Sequence, residues 1–79
     1  MTSKPVWFIT GCSTGFGREL ARHTLELGYP TVITARNPAQ VEDLARGNED
    51  KALVLKLDVT NADDIAAAVK AAEARFGRI

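Results

Sequence analysis

The sequence has few of the features that mark secreted, membrane or nucleic-acid-binding proteins. Its 79 residues include one cysteine, Cys12, so no internal disulfide can form and a reducing cytoplasm is the expected compartment. Ten basic and ten acidic residues leave no net charge, which gives no support for a nucleic-acid or anionic-membrane partner. The apolar run at residues 6–9 is too short for a signal-peptide core or a membrane span.

Histidine and cysteine, which commonly hold metals or act in catalysis, are also scarce. His23 is the only histidine and has no cysteine pair nearby, so we interpret it as a helix-flank residue rather than a metal ligand or a catalytic base. Asp63 and Asp64 fall in the first turn of a predicted helix, where carboxylates complement the helix dipole. The sequence therefore predicts no metal site and no catalytic residue.

Glycine, by contrast, is concentrated in one short stretch that follows an apolar run and precedes a helical pattern. A loop between a buried strand and a helix places glycines beside the unpaired N–H groups of the helix N-terminus, where phosphates bind. A plain flexible loop is the alternative interpretation. The stretch is Thr10-Gly11-Cys12-Ser13-Thr14-Gly15-Phe16-Gly17.

Each glycine in this stretch has a separate predicted task. Gly11 permits the tight turn off the strand, and Gly15 permits close approach of a pyrophosphate to the backbone. Gly17 allows the new helix to pack closely on the sheet, while Cys12 serves as a small spacer. The loop is thus predicted to bind a diphosphate.

The rest of the chain alternates strand and helix patterns. Strands are predicted at 6–10, 31–35 and 52–57, and helices at 18–27, from Asn37 to Gly47, and from a Thr60 N-cap to Gly77. The inward faces are predicted to carry Leu20, Ala21, Thr24 and Leu27 in the first helix and Ile65, Val69, Ala72 and Phe76 in the last. We also expect Trp7 and Phe8 in the core, contact with a ligand ring being the alternative.

This βαβαβα pattern predicts the fold class: α/β, the amino-terminal half of a Rossmann-like doubly wound parallel sheet with strand order 3-2-1. Residues 1–79 would form a partial dinucleotide-binding domain without an internal boundary. Because the first strand is central in the whole fold, its free edge here is expected to favour aggregation, and the chain is expected to be a fragment of a longer protein.

The stretch from Ile9 to Gly17 resembles the cofactor motif of the short-chain dehydrogenase/reductase family, in its branch with one compact Rossmann domain. The resemblance implies that Gly11, Gly15 and Gly17, with the intervening Ser13, Thr14 and Phe16, contact a nicotinamide dinucleotide. It extends to Phe76-Gly77-Arg78-Ile79, which is similar to the family's approach to a fourth strand.

The residue at the end of the second strand distinguishes the two nicotinamide cofactors. An acidic residue there binds the ribose 2′-OH of NAD, whereas Arg36 has a guanidinium suited to the 2′-phosphate of NADP(H). The sequence therefore favours NADP(H) over NAD(H). Ser13 is the position from which NADP-using relatives often donate to the same phosphate, although the second basic residue frequent in their loop is missing here. A surface arginine is the alternative interpretation of Arg36.

Asp58 and Val59 follow the third strand, and they are similar to the family's Asp-Val pair. The resemblance implies that the Asp58 carboxylate accepts from the adenine amino group while Val59 covers the ring. Alternatively, Asp58 simply precedes the cap of the last helix. Gly11, Arg36 and Asp58 should converge, because the carboxyl ends of parallel strands face the ligand crevice.

The resemblance also implies an activity for the parent protein: hydride transfer between the nicotinamide and an alcohol or carbonyl substrate, in a homo-oligomeric enzyme. The family's catalytic Ser and its Tyr-x-x-x-Lys motif are not in these 79 residues, since Tyr29 is followed by Pro30 and has no lysine four residues on. The alternative is a non-catalytic NADP(H)-binding sensor or scaffold module.

Overall fold

The computed structural model describes residues 5–12 and 15–77. Three strands alternate with helices along this part of the chain. In order they are β1 (Trp7–Ile9), α1 (Gly15–Glu26), β2 (Thr31–Ala35), a 3₁₀ turn (Pro38–Gln40), α2 (Glu42–Ala45), β3 (Ala52–Lys56) and α3 (Ala62–Phe76). None of the described helices is long and apolar enough to cross a membrane.

The three strands form a parallel sheet with β2 in the centre, which confirms the predicted order 3-2-1. Trp7 pairs with Thr31, and Thr31 pairs in turn with Ala52, so the strands begin at the same level. Every residue of β2 is buried, as expected for a strand covered on both faces. The strands therefore also end at the same edge, which we call the carboxyl edge: the residues directly after β1, β2 and β3.

The main core lies between the sheet and the two helices that follow β1 and β2. Ile33 and Ala35 of β2 contribute to it together with Ala21 and Leu25 of α1 and Leu44 of α2. Because successive strand side chains point to opposite faces, Val32 and Thr34 face away from this cluster, and both are fully buried. The core thus fixes α1 against the strands that precede and follow it.

The inward faces of α1 and α3 differ from the predicted ones. In α1 the structure buries Leu25, whereas Leu27 is 53% exposed. The prediction for Leu27 is wrong because α1 ends at Glu26, so Leu27 lies in the turn beyond the helix. In α3 the buried residues are Ala68 and Ala72, while Ile65 (42%) and Val69 (37%) stay partly exposed.

The N-cap of α3 is Asn61 and not the predicted Thr60. The Asn61 side chain accepts hydrogen bonds from the backbone N–H groups of Asp63 and Asp64, at 2.9 and 3.1 Å. The Thr60 hydroxyl is committed elsewhere, since it donates to Asp58 Oδ1 at 2.6 Å. Threonine and asparagine are both good N-cap residues. Because the Thr60 hydroxyl is bonded to Asp58, Asn61 is the one that caps α3.

Candidate functional site

The turn after β1 has the backbone conformation that its glycines predict. Gly11 has a φ of +65° and Gly15, the first residue of α1, a φ of +58°, and both values disfavour any residue with a Cβ. Within residues 5–12 and 15–77, apart from the immediate chain neighbours, no atom lies within 4 Å of a Cβ built on either glycine, so the described surface beside them is open. Ser13 and Thr14, which are also predicted to contact the cofactor, lie outside the described residues.

Gly17 is the position where α1 approaches the turn most closely. A Cβ there would lie 2.5 Å from the carbonyl oxygen of Gly11 and 3.1 Å from that of Thr10. Those oxygens belong to the backbone and cannot rotate away as a side chain could. Close packing of helix and turn therefore requires glycine at this position, as the sequence predicted.

The buried residue Cys12 joins the same turn to β1 and β2 by hydrogen bonds. Its side chain has no exposed surface, and its thiol donates to the carbonyl oxygen of Ile9 at 3.3 Å. Its backbone N–H donates to the carbonyl oxygen of Thr34 at 3.0 Å, and the Thr34 hydroxyl donates to Ile9 at 2.8 Å. Burial raises the pKa of the Cys12 thiol, so this residue is a neutral spacer at physiological pH.

Backbone hydrogen bonds also join the ends of β2 and β3. The N–H of Leu57 donates to the carbonyl oxygen of Ala35 at 2.9 Å. Leu57 directly precedes Asp58, and Ala35 directly precedes Arg36. As a result, Arg36 Nε lies 4.0 Å from Asp58 Oδ2. The Arg36 side chain is 84% exposed and therefore free to contact a ligand at the carboxyl edge.

The Asp58 carboxylate is held in place by two hydrogen bonds from Thr60. Oδ1 accepts from both the N–H (2.9 Å) and the hydroxyl (2.6 Å) of Thr60. These bonds, and to a smaller extent the charges of Arg36 and Lys56, lower the pKa of Asp58, so its side chain is a carboxylate at neutral pH. With Oδ1 engaged by Thr60, Oδ2 is the oxygen directed toward Arg36 and the open edge.

Two apolar side chains predicted to contact the cofactor are left exposed at this edge. Phe16, in the first turn of α1, is 82% exposed, and Val59, after β3, is 59% exposed. A planar ligand could cover these two side chains, but Leu27, Ile65 and Val69 are exposed elsewhere, so exposure alone does not mark a binding surface. Neither side chain is needed by the core described above.

The N-terminus of α1 differs in charge from that of α3. The first turn of α1 contains no acidic residue, whereas that of α3 carries Asp63 and Asp64 in addition to the Asn61 cap. The positive end of the α1 dipole is thus available to an anion, and that of α3 is compensated by its own side chains. Among the described residues, no group of three or more His, Cys, Asp or Glu is placed to hold a metal ion.

Two residues that support this edge were not identified from the sequence. Asp64 Oδ2 accepts from the backbone N–H of Asp58 at 3.1 Å and lies 3.6 Å from Lys56 Nζ, in addition to its predicted place in the first turn of α3. Arg18 reaches from α1 to the segment after Arg36. Neither contact has a sequence signal, because each joins residues whose approach depends on the folded sheet.

Comparison with known proteins places the whole described region within one family. The family model described as short chain dehydrogenase matches residues 5–79. The chain is 41% identical over 80 residues to "Oxidoreductase calM" of Penicillium decumbens, covering 98% of this chain and 25% of that protein. It is 41% identical over 86 residues to human "Dehydrogenase/reductase SDR family member 7", covering 100% of this chain and 25% of the relative. The chain therefore spans about a quarter of the length of these relatives.

Solved structures agree with the sequence comparison and differ in their cofactors. A 3-ketoacyl-(acyl-carrier-protein) reductase from Brucella melitensis, complexed with NADH, superimposes with a TM-score of 0.88 at 35% identity, covering 98% of this chain and 32% of that one. A metagenomic short-chain oxidoreductase in complex with NADP superimposes with a TM-score of 0.83 at 32% identity, covering 96% of this chain and 36% of that one. Structures related to this chain thus include complexes with either nicotinamide cofactor.

Proposed function

This chain belongs to the short-chain dehydrogenase family, and on that premise we propose that it forms the cofactor-binding segment of an NADP(H)-dependent oxidoreductase. The proposed reaction is hydride transfer between the nicotinamide and an alcohol or carbonyl substrate. When bound, the dinucleotide supplies the carbon that gives or takes the hydride. The residues of this chain bind and orient its adenosine and diphosphate parts.

The described residues fit such a cofactor at its phosphate end. The open surface beside Gly11 and Gly15 leaves room for a diphosphate against the backbone, and the first turn of α1 supplies N–H groups without a competing carboxylate. We assign Ser13, Thr14 and Gly17 to the same loop site, as the sequence predicted. Residues 1–79 would then be part of one dinucleotide-binding domain.

The adenosine end of the proposed site lies at the ends of β2 and β3. The ionised Asp58 carboxylate has Oδ2 available to accept from an adenine amino group, and the exposed side chains of Val59 and Phe16 can pack on the cofactor. Asp64 would hold Asp58 in position through the N–H contact. Cytoplasmic location and homo-oligomeric assembly of the whole protein remain predictions, the first resting on the single cysteine and the second on the family resemblance.

The observation that carries the NADP(H) assignment is Arg36. It is the first residue after β2, its guanidinium is exposed, and no acidic residue occupies its position to bind a ribose 2′-OH. Charge-assisted hydrogen bonds from a guanidinium to a 2′-phosphate are worth roughly 1.5–3 kcal/mol. We therefore expect Arg36→Ala to weaken NADPH binding by about ten- to a hundredfold.

The test is calorimetric titration of the whole protein with NADPH and with NADH. Arg36→Asp should weaken NADPH more than Arg36→Ala, because a carboxylate repels the phosphate, and NADH affinity should hold or improve. Arg22→Ala, at a half-exposed arginine one turn further along α1 than Arg18, is the matched control and should leave both affinities unchanged. If the ratio of the two dissociation constants is the same in the wild type and both Arg36 variants, the proposal is contradicted.

NADPH binding without any hydride transfer to alcohol or carbonyl compounds would indicate a binding module instead.

A further inference from the structure

Arg18 joins the start of α1 to the segment that follows Arg36. It lies three residues after Gly15, in the first turn of the helix that begins at the glycine loop. Its Nη1 donates to the carbonyl oxygen of Gln40 at 3.3 Å, and its Nη2 donates to the carboxylate of Asp43. The Arg18 side chain is only 25% exposed, so it packs along the protein rather than extending into solvent.

The segment held by Arg18 is short and is hydrogen-bonded along its length. Arg36 leaves β2, and Asn37 caps the 3₁₀ turn by accepting from the N–H of Ala39 at 3.2 Å. Gln40 is the last residue of that turn, and the next residue, Val41, is fully buried. The turn is closed by backbone hydrogen bonds, since the N–H of Gln40 donates to the carbonyl oxygen of Asn37 at 3.1 Å, so a displacement of Gln40 would act directly on the residue next to Arg36.

The charges around Arg18 distinguish positioning from direct ligand contact. The hydrogen bond from Arg18 lowers the pKa of Asp43, so Asp43 is ionised at neutral pH and neutralises the guanidinium. Both terminal nitrogens of Arg18 already donate to protein acceptors. A phosphate that used Arg18 as a ligand would have to displace these contacts.

We propose that Arg18 and Asp43 form a positioning pair that sets the place of Arg36 relative to the glycine loop. The proposal rests on the assignment of Arg36 to the 2′-phosphate. It adds that discrimination between the cofactors depends on two residues that touch neither of them. The reason is geometric: the pair ties the helix at the diphosphate to the turn at the 2′-phosphate, so the distance between the two phosphate sites is fixed.

The experiment measures dissociation constants for NADPH and NADH in the whole protein carrying Arg18→Met or Asp43→Asn. Both variants should weaken NADPH by about three- to tenfold, the effect of losing a modest coupling between contacting residues, and should leave NADH within about twofold. The double variant should be no worse than Arg18→Met alone, because both changes break the same contact. Arg18→Lys keeps the charge but cannot reach both acceptors together, so its NADPH affinity should lie between those of the wild type and Arg18→Met. It replaces Arg18→Met in the experiment if that variant does not fold.

The sign of the Asp43→Asn effect is the decisive result. Removing a negative charge should by electrostatics alone strengthen the binding of a phosphate, so weaker NADPH binding supports positioning. Tighter NADPH binding in Asp43→Asn together with weaker binding in Arg18→Met would identify Arg18 as a direct ligand and overturn the proposal. Equal weakening of both cofactors would overturn it as well, because it would show a general structural role.

The matched controls are Arg22→Met and Glu19→Gln, which make the same charge changes in an ion pair on the same helix, 3.8 Å apart and exposed. They should leave the ratio of the two dissociation constants unchanged.

Arg36→Ala separates the NADP(H) assignment from the positioning pair. If it leaves that ratio flat, the NADP(H) assignment fails; if it moves the ratio and the Arg18 and Asp43 variants do not, only the positioning pair fails.

Discussion

At the scale of single residues, the glycine loop shows which requirements are conformational and which are steric. Gly11 and Gly15 are needed for their positive φ, and a Cβ on either would meet none of the described atoms beyond its chain neighbours. Gly17 is needed because its neighbour is the backbone carbonyl of Gly11. The turn at Gly11 and the close packing at Gly17 could be predicted from the sequence, because a turn between strand and helix has few backbone solutions. For Gly15 the sequence predicts close approach of a pyrophosphate, which stays a prediction, and the positive φ is a finding of the structure.

Gly17→Ala should accordingly damage the turn although alanine favours helices. The added methyl must push Gly11 away, and overpacking of this kind costs about 1–3 kcal/mol. We expect a lower free energy of unfolding in urea and weaker binding of NADPH, since the displaced turn lines the proposed diphosphate site. Glu19→Ala, an exposed change in the same helix, is the control and should alter neither. Unchanged stability and affinity in Gly17→Ala would show that α1 can shift without consequence for the site.

At the scale of elements, the limits of the sequence are visible at helix ends and faces. The strand at 31–35 has the predicted bounds, because a run rich in β-branched residues is set off by Pro30 before it and Arg36 after it. The cap of α3 was predicted one residue early, because threonine and asparagine are both good caps and only the fold shows the bond from Thr60 to Asp58. Arg18 and Asp43 are 25 residues apart, and no local pattern predicts their contact.

The assignment of Asn61 as the cap leads to a stability prediction. Asn61→Ala should lower the free energy of unfolding by about 1 kcal/mol, because two N–H groups at the start of α3 lose their acceptor. Asn61→Asp keeps an acceptor and adds a charge that suits the dipole, so it should remain close to the wild type. Urea denaturation of the whole protein measures both. If Asn61→Ala is as stable as the wild type, the Asn61 side chain does not stabilise α3.

At the scale of the whole described chain, the two edges of the sheet differ. At the edge where the strands begin, polar groups are engaged: Arg75 donates to the carbonyl oxygens of Glu49 and Asp50, both at 3.1 Å, and Lys51 Nζ donates to that of Leu25 at 3.4 Å. At the carboxyl edge, the Arg36 guanidinium and the side chains of Phe16 and Val59 are exposed. Apolar side chains are exposed at both edges, since Trp7 and Leu27 lie where the strands begin. The exposed Arg36 guanidinium at the carboxyl ends of parallel strands is therefore the physical basis for placing a ligand at the carboxyl edge.

The central claim, that a dinucleotide binds at the carboxyl edge, is tested most directly by an NMR titration of the isotope-labelled whole protein with NADPH. The backbone amide signals of Gly11, Gly15, Arg36 and Val59 should shift. Those of Gly28, Asn48 and Gly77, which lie in the helix-terminal turns and loop at the opposite edge, should stay in place. Shifts confined to the second group, or an absence of shifts at saturating NADPH, would contradict the account.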